Sequence, residues 1–238
     1  MSCPRFFTFA AEAREGAQVL LDAAQARHLA VLRVRPGDPL ELVLPQGPWR
    51  ADLATLDRDR ASARLVSPLG EEREALHALH AFLPVPAQLS LLDEMLPPLV
   101  ELGVASFQPV VFERSAADPG KVQARMESWA RILVAACEQC HRGRIPALAA
   151  PAPFAALLAV EAAQKWVAFE NPTGTPNPPC LKAPIAFTSG PEGGITDGEF
   201  QALRRSGWTA VSLGPAILRA VTAPVALAGA IQFRFQQD

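Results

Sequence analysis

The stretch Ile185-Ala186-Phe187-Thr188-Ser189-Gly190-Pro191-Glu192-Gly193-Gly194-Ile195-Thr196 passes from an apolar run into a glycine-rich turn. The run reads as a buried strand, and Thr196 and Asp197 are N-cap candidates for a helix reaching Arg205. Gly190, Gly193 and Gly194 can take positive φ and let a ligand approach the main chain closely. Further on, a second apolar run leads into Ser212-Leu213-Gly214-Pro215-Ala216-Ile217-Leu218-Arg219. Two glycine-bearing turns of this kind, close in sequence, predict one ligand held by exposed backbone rather than by charged side chains. Leu213, Ile217 and Leu218 beside Gly190 and Gly214 would suit a flat, apolar-faced ring with a polar edge.

Upstream of these turns, strand and helix patterns alternate. Strands are expected over 78–85, 105–112 and 165–169, with helices over 88–102, 121–141 and 154–164. Alternation of this kind predicts an α/β domain with a mainly parallel sheet covered by helices. Residues 171–184 are proline-rich and read as an exposed loop. A last helix should begin near Thr222, because Pro224 is tolerated in a first turn but not deeper. Its apolar face (Val225, Leu227, Ala228, Ile231, Phe235) suits either the core or a subunit contact.

Residues 1–73 follow a different pattern. Short strands over 6–9, 18–21, 39–44, 49–56 and 62–69 are separated by Pro36-Gly37-Asp38 and Pro45-Gln46-Gly47, and Asp22 can cap a helix over 24–32. Several short strands with one helix predict a small β-barrel. The charged stretch 70–74 reads as a linker, which gives two domains, 1–73 and 74–238.

With 238 residues, half of them apolar, the chain can bury a substantial core. The net charge of −2 and pI near 6.1 argue against gripping nucleic acid by bulk charge, though not against a local patch. The basic residues are nearly all arginine, and they cluster around Arg33, Arg131 and Arg204. Arginine stacks on bases and forks onto phosphates better than lysine does. No window approaches the ~20 apolar residues of a membrane span, and the start, MSCPRFFTFAAEARE, lacks the regions of a signal peptide, so a cytoplasmic location is expected. Cys137 and Cys140 form a single C-x-x-C, too few ligands for structural zinc, and no metal is expected. The string CEQCH also fits the c-type haem attachment pattern, but neither an export signal nor an aromatic-rich haem pocket accompanies it. Glu138 and Arg142, four apart, would share one helix face, either as an ion pair or lining a groove.

The strings SGPEGGIT and SLGPAILRAVTA resemble the two cofactor-loop motifs of the RsmE family, the 16S ribosomal RNA uridine-N3 methyltransferases of the SPOUT superfamily. RHLAVLRVRPGDPLELVLPQG, ELGV (101–104), FERS (112–115) and AACEQCHRGRIP (135–146) resemble further family strings in the expected order. The resemblance implies a PUA-like RNA-binding barrel followed by a trefoil-knotted SPOUT domain, a homodimer, S-adenosylmethionine as cofactor, and 16S rRNA or the small ribosomal subunit as substrate. It implies cofactor contacts from Phe169, Pro172, Thr188, Gly190, Glu192, Gly193, Leu213, Gly214, Ile217 and Leu218. Arg219 would stabilise negative charge on the uridine imide. His28, Arg33, Arg35, Arg114, Gln139 and Arg142 would contact RNA. Departures occur at Val221, where the family usually has glutamate, at Ala216, where it often has a basic residue, and at Leu91 and Pro97-Pro98, where it tends to carry lysines. They leave a second expectation open: a paralogue that binds RNA without transferring methyl groups.

Overall fold

In the computed structural model of the protein, residues 3–8, 13–70, 74–75, 78–116, 118–170 and 181–235 are described. The chain divides into two compact units, one of residues 1–74 with 137–144 and one of 75–136 with 145–238.

In the first unit, β1 (Arg5–Phe7), β2 (Gln18–Leu21), α1 (Ala23–Val31), β3 (Pro39–Leu44), β4 (Gly47–Leu56) and β5 (Ala61–Pro68) follow in order. They form a sheet ordered β1-β3-β4-β5-β2, in which β1 runs parallel to β3 and every other pair is antiparallel. One face packs Phe6, Val19, Leu40, Leu42, Leu53 and Leu65 against Ala26 and Leu29 of α1. Asp22 caps α1 through the amides of Ala24 and Gln25 (2.8 Å each), and Gln25 answers with its side chain in a capping box. The helix ends on Arg33 at φ +58, and Val34 N–H donates back to the Leu29 carbonyl (3.1 Å). That is a Schellman closure with arginine where glycine is usual.

The second unit contains β6 (Leu79–Pro84), α2 (Ser90–Glu101), β7 (Val104–Val111), α3 (Pro119–Cys140), β8 (Ala147–Leu148), β9 (Ala152–Pro153), α4 (Ala155–Leu158), β10 (Gln164–Ala168), β11 (Ile185–Thr188), α5 (Asp197–Arg205), β12 (Thr209–Val211) and α6 (Thr222–Phe235). The last four residues of α3 are grouped with the first unit. The sheet order is β12-β10-β11-β6-β7-β8, with β9 also beside β7, and all of these pairings are parallel. Both faces of a parallel sheet need cover, which explains why β11 reads Ile-Ala-Phe-Thr without polar alternation and is wholly buried. Trp208 anchors one face. Its indole N–H donates to the Leu157 carbonyl (3.0 Å), and its ring meets Phe82 edge-on.

Two expectations need correction. The helix over 154–164 shrinks to α4, because the amides of Ala163 and Gln164 turn to the Pro184 carbonyl (3.0 and 3.3 Å) as β10 enters the sheet. Arg142 does not lie on α3, which ends at Cys140. His141 takes φ +62, and Arg142 N–H closes on the Cys137 carbonyl (3.1 Å), so the four-residue spacing from Glu138 is not helical. On α6, Pro224, Leu227, Ala228 and Ile231 are buried within the unit, Val225 and Phe235 are half-buried, and Phe233 is 62% exposed, so part of the expected apolar face serves the core. Both prolines of α2 lie inside the helix, so the carbonyls of Asp93 and Glu94 have no amide four residues on. The loop at 171–184 lies largely outside the described residues.

Candidate active site

The turn after β11 is held from the helix side. Thr196 caps α5, and Glu199, three residues on, returns its carboxylate to Thr196 N–H (3.0 Å). Glu199 is only 7% exposed, and its other oxygen accepts Glu113 N–H (2.8 Å) from the turn that follows β7. Gly194 takes φ +76. A Cβ on Gly190 would come to 3.0 Å from Ile195 Cγ1, and one on Gly193 to 2.9 Å from Arg114 Cβ, so neither position has room for a side chain. The turn after β12 is looser: Ser212 Oγ donates to the Gly214 carbonyl (3.2 Å), and Gly214 takes φ +129.

The two turns face a common cavity of about 760 Å³. That size falls within the range usual for small-molecule and cofactor sites, ~300–1,000 Å³. Of the residues expected from sequence, Phe169, Gly190, Glu192, Gly193, Leu213, Gly214, Ile217, Leu218 and Arg219 line it. Phe169 is braced by stacking on Phe200 of α5, ring centres 3.9 Å apart. Ile217, a large apolar side chain among the lining residues, is 79% exposed. Thr188 is not on the wall. It is fully buried, and its hydroxyl donates to the Phe82 carbonyl (2.6 Å), so it secures β11 to β6. Pro172 lies outside the described residues.

Four carboxylates (Glu94, Glu170, Glu192, Asp197) and two guanidinium groups (Arg114, Arg219) line the cavity. Ser189, also on the wall, is 1% exposed with a hydroxyl that has no hydrogen-bond partner. Leu91, Glu94, Ser189 and Asp197 were not among the residues expected there. Leu91 and Glu94 share one face of α2 by their spacing of three, a signal visible in sequence, but nothing local indicates where that face points.

The expected RNA contacts divide. Arg114 joins the cavity wall and donates through Nη1 to the Gly193 carbonyl (2.8 Å). His28, Arg33, Arg35, Gln139 and Arg142 belong to the first unit. His28, Arg33, Arg35 and Gln139 are exposed there, with His28 edge-on to Phe6 at 5.7 Å. Arg142 is only 5% exposed, and its Nε and Nη2 donate to Glu74 Oε2 (3.1 and 2.9 Å), which ties residue 74 to the α3 terminus. Glu74 Oε1 completes the junction by accepting the amides of Gly143 and Arg144 (3.0 and 2.8 Å). Glu138 accepts Phe7 N–H (3.2 Å), and burial pushes its carboxyl up to about 7 despite that bond. Cys137 is fully buried with its thiol pushed up to about 12, chiefly by burial, which is inert-thiol behaviour.

A mainly parallel α/β domain whose two glycine turns share one cavity is a nucleotide- or cofactor-binding arrangement. A family model described as the RNA methyltransferase domain matches residues 73–232. Ribosomal RNA small subunit methyltransferase E of Synechocystis is 36% identical over 231 residues, covering 89% of this chain and 72% of the relative. The protein of the same name from Aquifex aeolicus is 25% identical, covering 92% and 96%. Among solved structures, that of ribosomal RNA small subunit methyltransferase E from Neisseria gonorrhoeae bound to S-adenosyl methionine superposes with a TM-score of 0.86 at 30% identity, covering 98% of both chains. A Legionella pneumophila methyltransferase in complex with bound SAM gives 0.88 at 25% identity, again covering 98% of both. The chain belongs to the ribosomal RNA small subunit methyltransferase E family.

Proposed function

We propose that the protein transfers a methyl group from S-adenosylmethionine to N3 of a uridine in 16S ribosomal RNA. The observation that carries this reading is the cavity shared by the two glycine turns, in a chain of this family. The residues present suit the cofactor. A Cβ on Gly214 would meet nothing within 4 Å, so a side chain there would occupy space open to a ligand. Four carboxylates against two guanidinium groups leave a negative wall, which favours a ligand bearing a sulfonium and an ammonium.

Leu213, Ile217 and Leu218 would cover the adenine, the backbone of Gly190, Gly193 and Gly214 would meet its polar edge, and Phe169 would close one side. When bound, the cofactor supplies an electron-poor methyl group. Uridine N3 carries a proton and must lose it to solvent to become nucleophilic, so that the methyl–sulfur bond can break as the N3–methyl bond forms. Arg219 would hold the negative charge that develops on the imide. The uridine must be unstacked to present this edge. His28, Arg33, Arg35 and Gln139 would contact RNA from the first unit, which we read as the PUA-like domain over 1–73, with the methyltransferase domain over 74–238.

Two further features belong to the same proposal. One is a trefoil-knotted threading, supported by the return of the chain from β12, at the sheet edge, to an α6 packed on β6, β10 and β11. The other is a homodimer, to which the exposed Phe233 of α6 would contribute. The test is incubation of the purified protein with S-adenosylmethionine and undermethylated small ribosomal subunits, followed by nucleoside mass spectrometry. The expected product is 3-methyluridine in 16S rRNA. Cofactor binding without this product would favour the paralogue that binds RNA without methyl transfer.

A further inference from the structure

The FERS turn at 112–115 adjoins the cavity through Arg114 and is tied down both internally and to the glycine loop. Ser115 N–H donates to the Phe112 carbonyl (3.0 Å), while Phe112 N–H donates to Ser115 Oγ (3.1 Å). Phe112 is 2% exposed and packs against Phe154, so the turn is founded on the core. From this base, three hydrogen bonds cross to residues 193–199. Glu113 N–H reaches Glu199 Oε1 (2.8 Å), Thr196 Oγ1 donates to Glu113 Oε2 (3.3 Å), and Arg114 Nη1 donates to the Gly193 carbonyl (2.8 Å).

The contact is steric as well as polar. A Cβ on Gly193 would lie 2.9 Å from Arg114 Cβ and 3.4 Å from both Arg114 Cδ and the Arg114 carbonyl oxygen. The arginine stem therefore lies flat on the glycine's open face while its guanidinium grips the carbonyl beyond. Residues 190–195 all line the cavity, and three of the six are glycines, the residues with most backbone freedom to lose on ordering. A loop of this composition would have to be ordered at the moment of binding unless something already held it. Ordering costs of that kind are subtracted from affinity, and prior organisation removes them.

We propose that Arg114 is a positioning residue: seated on the FERS turn, it holds the glycine loop in its ligand-ready form and so sets cofactor affinity rather than contacting RNA. Glu199 pins the far end of the same loop through the α5 cap, and Arg114 pins its middle at Gly193. This inference rests on the reading of the cavity as an S-adenosylmethionine site. It assigns Arg114 a different role from the one its sequence context suggested.

The test uses the full chain and S-adenosylmethionine as the probe, with titration calorimetry and steady-state methyl transfer at varied cofactor and varied small-subunit RNA. Arg114→Ala should raise both Kd and KM for S-adenosylmethionine about five- to ten-fold, the scale of losing one partly solvated charge-assisted bond with its loop ordering. Saturated kcat and KM for RNA should stay within about two-fold, and the melting temperature should hold, since the side chain is exposed. Arg114→Lys should recover part of the loss, because an ammonium can still donate to the Gly193 carbonyl. Gly193→Ala, which forces the same seam apart from the other side, should weaken cofactor binding in parallel. Unchanged cofactor affinity in Arg114→Ala beside a wild type that binds, or a raised KM for RNA with cofactor KM unmoved, overturns the clamp alone. A wild type that gives no heat with S-adenosylmethionine overturns the cavity reading and the clamp together.

Discussion

Arg219 closes the second glycine turn, and its carbonyl accepts the amides of Thr222 and Ala223 (2.9 and 3.0 Å) at the start of α6. Its backbone is therefore fixed by a helix start while its exposed guanidinium stands on the cavity wall. Removing a group that stabilises charge only as the reaction proceeds lowers kcat without much effect on ground-state binding. Arg219→Ala should thus lower kcat about 10²- to 10³-fold with cofactor Kd within a few-fold, and Arg219→Lys should recover part of it. Single-turnover methyl transfer checks this; an alanine variant with wild-type kcat would remove Arg219 from the chemistry. At this scale, sequence conveyed the site where the signal was local. Gly190, Gly193 and Gly214 stand out because turns of this kind need glycine, and all three line the cavity. Ser189 and Glu94 were illegible because their place on the wall depends on how distant elements pack. The direction of the Thr188 hydroxyl was not legible either, since a hydroxyl beside a glycine turn reads the same whether it faces a ligand or, as here, the Phe82 carbonyl.

Elements follow the same logic. The capping boxes of α1 and α5 are written in four consecutive residues each, and both helices start where Asp22 and Thr196 predict. The helix expected over 154–164 failed because an alanine-rich run carries helical propensity, whereas the sheet needs residues 164–168 for β10. Helix ends were the harder signal. Both α1 and α3 close on non-glycine residues in the left-handed region, Arg33 and His141, which no sequence rule would choose. A residue held there costs roughly 1 kcal/mol relative to glycine and persists where its side chain matters. Arg33→Gly should therefore raise the stability of the first unit, by no more than about 1 kcal/mol once the entropy of glycine in the unfolded chain is discounted. The same change should weaken RNA binding if Arg33 is a contact. Urea unfolding and an RNA-binding assay on one preparation separate the two effects, and a loss of stability would contradict the strain assigned to this helix end.

For the whole molecule, the division into units carries a chemical consequence. The end of α3, residues 137–140, groups with the first unit although the rest of the helix belongs to the second, so one continuous helix serves both. Composition gave no hint of this, because the expected boundary at 73–74 is a break in pattern along the chain, and a helix shared between units leaves no such break. Within the first unit, Glu138 on that helix end meets the Phe7 amide in a setting that raises its carboxyl to about 7, burial being the main cause and the Asp22 charge a lesser one. In the unfolded chain a glutamate titrates near 4.3. Between about pH 4.3 and 7 the folded state therefore holds a proton that the unfolded state releases, so this group's contribution to stability is complete below the lower value and is lost as pH rises to 7. Glu138 is only partly buried, and solvent screening reduces the effect to roughly 1–2 kcal/mol. Glu138→Gln keeps an oxygen for the Phe7 amide and removes the charge. The difference in unfolding free energy between variant and wild type, measured in urea at several pH values, should grow in favour of glutamine from about pH 5 to pH 8. A difference independent of pH across that range would mean that the carboxylate is solvated when charged, and that the seating of the α3 terminus does not sense protons.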